Sequence, residues 1–71
     1  MSLTNVEPGK RVYIIGLSAG KGMQGRLAAM GLVPGVLIEV IASSAWGPII
    51  VAVKGSRVIL GHGMAQKVMV A

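Results

Sequence analysis

VLIEVIASSAWGPIIVAVKGSRVILG, residues 36–61, is the stretch that decides the fold. Val36 to Ala42 is one apolar run with Glu39 as its only charge, Ser43 to Gly47 is turn-like, and Pro48 to Lys54 is a second run. Both runs are rich in Val and Ile, whose branched Cβ atoms suit a pleated strand better than a helix. Gly55-Ser56 predicts a tight hairpin turn, and Arg57 to Gly61 a further strand. At period two, Val36, Ile38 and Val40, then Ile49, Val51 and Val53, then Val58 and Leu60 define one inward face. The alternate positions are mixed: Glu39, Lys54 and Arg57 suit solvent, whereas Leu37, Ile41, Ile50 and Ile59 do not.

Towards the amino end, Arg11 to Gly16 reads as a strand with Val12 and Ile14 inward, and Asn5 to Gly9 as a polar turn. The period changes between Lys21 and Gly31. Met23, Leu27 and Met30 stand at i, i+4 and i+7, one face of a short helix. Gly31 supplies a left-handed cap, and Pro34-Gly35 turns the chain into the next strand. Towards the carboxyl end, residues 62–65 form an irregular or single-turn element, and Gln66 to Val70 a last strand with Val68 and Val70 inward. The expectation is an all-β chain, a small, partly open barrel of about five strands with one short helix inserted after the first, in a single domain over residues 1–71.

A chain of 71 residues without cysteine has no disulfide and no thiolate metal site to stabilise it. Its apolar fraction of 54% and mean hydropathy of +0.76 are high for so small a domain. Some apolar side chains are therefore expected at the surface, as association sites. The longest charge-free stretch, Val40 to Val53, is broken by Gly47-Pro48 and falls short of the roughly 18 residues of a membrane span. Met1 to Gly9 lacks the layout of a signal peptide, so a soluble cytoplasmic protein without membrane insertion is expected.

The formal net charge is +5, from scattered bases: Lys10, Arg11, Lys21, Arg26, Lys54, Arg57 and Lys67. Anionic partners suit it, whether an acidic protein face, a lipid surface or nucleic acid. Two carboxylates, one His and no Cys are a poor inventory for acid–base or nucleophilic chemistry, so no enzymatic activity is expected. Gly20-Lys21 fails as a phosphate-binding loop, because Ile15 stands where the first glycine is needed and Gly22 where a hydroxyl would hold magnesium. His62 has no second metal ligand at a helical or turn spacing, and no cofactor is expected. Single-strand nucleic-acid binding lacks its stacking platform, since Tyr13 and Trp46 are the only aromatics. Trp46 lies in a loop, where a tryptophan either folds back over the barrel end or serves as a binding hot spot.

Arg26-Leu27-Ala28-Ala29-Met30-Gly31-Leu32-Val33-Pro34-Gly35 resembles the signature of the FeoA family, small accessory proteins of bacterial ferrous-iron uptake. Pro8-Gly9 is similar to the family's opening turn, residues 48–55 to its central hairpin, and residues 65–70 to its closing strand. The resemblance implies an SH3-like barrel. It also implies a cytoplasmic protein that binds the FeoB transporter, a membrane protein with a GTPase domain, and modulates Fe(II) uptake at the inner face of the membrane. A related domain ends DtxR-type repressors, but the 71 residues hold no helix-turn-helix. The family often carries acidic residues in the helix and before the last strand. Here Gly25 to Met30 and Gly63 to Ala65 hold none, which points away from direct metal binding and towards an acidic partner surface. Candidate partner contacts are Trp46, Leu32 and Val33 beside the helix end, and Arg26. The rival readings are a basic barrel for single-stranded nucleic acid and a self-associating structural module.

Overall fold

The β-branched runs become strands, and the glycine and proline clusters become the turns between them. The structure, a computed structural model, describes residues 1–71. A 3-10 turn at Leu3–Asn5 leads into β1 (Arg11–Leu17), α1 (Lys21–Ala29), β2 (Leu37–Ala42), β3 (Ile49–Val53), β4 (Ser56–Leu60), α2 (His62–Ala65) and β5 (Val68–Val70). The five strands form one antiparallel sheet in the order β4-β3-β2-β1-β5. No helix is long and apolar enough to cross a membrane.

β1 is divided between two neighbours. Arg11 to Tyr13 pair with Glu39 to Leu37, whereas Ile14 to Leu17 pair with Val70 to Val68. The register shifts between Ile14 and Gly16, and again in β2 between Val40 and Ala42. Such bulges bend a strand and increase its twist, which curls the sheet into an open barrel.

The period-two face is the core. Ile14, Ile38, Val40, Ile49, Val51, Val53, Leu60, Val68 and Val70 are buried, and Val12, Val36 and Val58 pack partly buried against them. No polar or charged residue is buried. Leu3, Val6 and Ala65, which carry no periodic signal, complete the core. The amino-terminal residues do more than the polar turn expected of them. Ser2 Oγ accepts a hydrogen bond from the Thr4 N–H at 3.3 Å, and the Val70 N–H donates to the Met1 carbonyl at 2.7 Å. Ser2 also bridges Met69, so residues 1 and 2 cover the outer edge of β5.

The end of α1 is closed by two crossed backbone bonds. The Gly31 N–H donates to the Ala28 carbonyl and the Leu32 N–H to the Leu27 carbonyl, each at 2.9 Å. Gly31 has φ +85°, so this is a Schellman closure with its usual apolar clasp, Leu27 against Leu32. Both leucines are fully buried, worth roughly 1.5–3 kcal/mol each. Met23 and Met30, expected on the buried face of the helix, are only half-buried, because Leu27 fills the contact.

The β3–β4 hairpin differs by one residue from its expected form. Val53 pairs with Ser56, so the two-residue turn is Lys54-Gly55 and not Gly55-Ser56. Both turn residues have positive φ, 49° and 80°, as a type I′ turn demands to match the strand twist.

Gly31→Ala is expected to destabilise the protein by about 1–2 kcal/mol in urea unfolding, the cost of a left-handed non-glycine residue. The added Cβ would only touch Val53 Cγ2 at 3.8 Å, so Gly31→Asn, which tolerates this backbone, should lose less.

Candidate functional site

Pairing of Ile49 with Leu60 fixes where the β2–β3 loop stands, because the loop ends at β3 and α2 begins just after β4. This brings Trp46 to His62. Their ring centroids are 5.6 Å apart and the planes tilt by 47°. His62 Nε2 lies 3.3 Å from Gln66 Nε2, one helical turn on, and its Nδ1 is buried without a partner. Trp46 is nevertheless 84% exposed: its ring meets His62 at one side and is not folded into the barrel end.

The other candidate residues gather at the end of α1, with mixed outcome. Arg26 is exposed in the last turn of the helix, where a cation complements the negative end of the helix dipole. Val33 is half-buried and its carbonyl accepts from the Val36 N–H at 3.2 Å. Leu32 offers no surface to a partner, being fully buried as the apolar half of the helix clasp. No hydrogen bond or ring contact joins Trp46 to Arg26 or Val33. His62 is the neighbour that sequence spacing did not reveal, since only strand pairing brings residues 46 and 62 together.

Around these residues the outer face of the sheet is layered. Tyr13 lies opposite Leu37, Arg11 opposite Glu39, Ala52 opposite both Glu39 and Arg57, and Ile50 opposite Ile59. Arg11 Nε reaches Glu39 Oε1 at 3.4 Å, the one ion pair of the chain, and it is largely solvated. Such a pair contributes under about 1 kcal/mol. Tyr13, Ile15 and Ile59 are each more than half exposed. A shallow groove of about 410 Å³ runs beside residues 5–7 and 10–12, lined by Glu7, Lys10 and Arg11 among others. No three His, Asp or Glu side chains come together as a metal-binding group.

An open five-stranded barrel with one inserted helix and an exposed tryptophan loop defines a small barrel module of the SH3-like type. The model of the FeoA domain matches residues 1–71, and the chain belongs to the FeoA family, which is associated with ferrous-iron transport. It is 37% identical over 68 residues to a Methanocaldococcus jannaschii protein named for Fe(2+) transport, covering 96% of this chain and 82% of that one. It is similar to the crystal structure of an iron uptake regulatory protein, FeoA, at 37% identity and a TM-score of 0.94, over 99% of this chain and 93% of that one. The FeoA of Stenotrophomonas maltophilia, solved with zinc and described as an SH3 domain protein, shares the fold at 22% identity. The TM-score is 0.86, over 100% of this chain and 89% of that one.

Trp46→Ala should leave the urea midpoint within about 0.5 kcal/mol of the parent, as expected of an exposed loop residue. Leu32→Ala should cost about 2–5 kcal/mol, because it opens a cavity behind the helix clasp. The two unfolding curves together separate a surface residue from a fold residue among the candidate contacts.

Proposed function

We propose that this chain is a cytoplasmic accessory of ferrous-iron uptake that binds the GTPase-bearing part of a FeoB-type transporter and modulates its activity. Membership of the FeoA family supports the connection to iron transport. The observation that carries the binding reading is Trp46, an almost fully exposed indole on a loop of an otherwise well-packed barrel. An indole left in water is costly to keep solvated and strengthens association when a partner covers it. Arg26 and the half-buried Val33 offer a second, smaller contact at the end of α1. Exposed cations suit an acidic partner face and speed its encounter. Action through protein contact, rather than by carrying iron, fits a donor set in which His62 has no carboxylate beside it.

The test is titration of the cytoplasmic part of FeoB with this protein by calorimetry, in GTP and in GDP. Saturable binding is expected, with affinity reduced at least tenfold by Trp46→Ala, a loss of about 1.4 kcal/mol or more for a hot-spot side chain. Absence of binding in both nucleotides would defeat the adaptor reading.

A further inference from the structure

The two edges of the sheet are treated differently. The edge of β5 is covered by the protein's own residues 1 and 2, through the Val70 N–H to Met1 carbonyl bond and the Ser2–Met69 bridge. The edge of β4 is open. In a two-residue hairpin the pair closing the turn, Val53 with Ser56, is hydrogen-bonded, and bonded pairs then alternate along the ladder. The N–H and C=O groups of Ser56, Val58 and Leu60 therefore face β3, and those of Arg57 and Ile59 face outwards. Neither Arg57 nor Ile59 makes any backbone bond outside the sheet. This ladder has five successive pairs without a bulge, whereas the β1–β5 and β2–β3 ladders are both interrupted. β4 is short and carries the charge of Arg57, but it has no proline, bulge or covering segment to close its edge.

We propose that the open edge of β4 is a docking site for an extended peptide segment that adds as a sixth strand and reads apolar-x-acidic-x-acidic from its amino end. Strand addition draws its affinity from main-chain bonds and its specificity from alternate side chains. Arg57 and Ile59 lie on the same outer face and are both exposed, Ile59 at 67%. An antiparallel ligand places one side chain opposite Ile59 and the next but one opposite Arg57. The first position is apolar by contact with Ile59, and the second acidic by charge. Continuing, the ligand reaches Lys54 at the turn. Neither Lys54 nor Arg57 has a carboxylate partner, because the only ion pair of the chain is Arg11 with Glu39. Lys54 also occupies a left-handed backbone position that Asn or Gly would fill at lower cost, so the turn itself does not account for a lysine there. A second copy of this chain is a poorer occupant, since it brings the same cations and a net charge of +5 to the edge. The proposal concerns a surface other than the Trp46 loop and is independent of the transporter's identity.

The experiment is an NMR titration of the isotope-labelled protein with a synthetic peptide of about seven residues, long enough to span β4. The peptide carries valine, glutamate and glutamate at alternate positions, spaced by threonine; a second peptide has lysine for both glutamates. Saturable shifts centred on residues 56–61 are expected with the acidic peptide, with exchange of the Arg57 and Ile59 amides slowed about tenfold at saturation. The lysine peptide should not reproduce them. Arg57→Glu, an exposed change that leaves the β3 ladder intact, should erase the preference between the two peptides, since Lys54 then favours the acidic one while the new carboxylate opposes it. Ile59→Pro, which removes the outward N–H and the apolar contact together, should abolish the response to the acidic peptide while the β3 amides remain protected. Shifts centred elsewhere, equal responses of the parent protein to both peptides, or no saturable response would overturn the proposal. So would protection of these amides without peptide that rises with protein concentration, which would assign the edge to self-association.

Discussion

The left-handed turn at Gly31 is the constraint on which the rest of the barrel depends. It reverses the chain at the end of α1, satisfies two carbonyls that would otherwise be orphaned, and presses Leu32 onto Leu27 inside the core. α1 brings no other fully buried residue, so without this clasp the helix would have little reason to stay on the sheet. The same reversal sets the path of Pro34-Gly35 into β2. There the Gly35 N–H donates to the Ile14 carbonyl at 2.6 Å and joins the helix exit to the middle of β1. A signature centred on Met30-Gly31-Leu32 thus records a backbone requirement first, and its residues serve the fold before they serve a partner.

That division explains what could be read from the sequence. Strands rich in Val and Ile announce themselves, and period two sorts their residues into two faces, of which the one from Val12 to Val70 is free of charge and is the one buried. The helix and its glycine cap were legible for the same kind of local reason. What was not legible is what depends on distant segments meeting. Leu3 and Val6 sit in a polar-looking leader, and only the docking of the 3-10 turn near α2 and β5 places them in the core. Leu32 looked like surface because it follows the helix, yet the clasp turns it inwards. The hairpin slipped by one residue because Lys54 accepts a left-handed backbone that sequence rules reserve for glycine or asparagine. Of the candidate site, the exposure of Trp46 could only be posed as a choice, and its neighbour His62 could not be named.

The outer surface combines apolar rows with solvated charge. Its apolar side chains stand in rows set by strand register, Tyr13 with Leu37 and Ile50 with Ile59, and the row between them is Arg11, Glu39, Ala52 and Arg57. An apolar surface interrupted by solvated charge resists indiscriminate collapse onto other molecules while leaving separate patches for specific contact. With just two carboxylates to answer seven Lys and Arg residues, most of the cationic charge is free to act on something outside the chain.

The division of β1 between β2 and β5 has a consequence for how the protein is made. Half of that strand finds its partner soon after α1, but Leu17 must wait for Val68, near the far end of the chain. During synthesis the first strand stays half-paired until Val68 to Val70 have emerged from the ribosome. The barrel therefore closes only once β5 is free to return to β1, the kind of distant pairing that delays folding most.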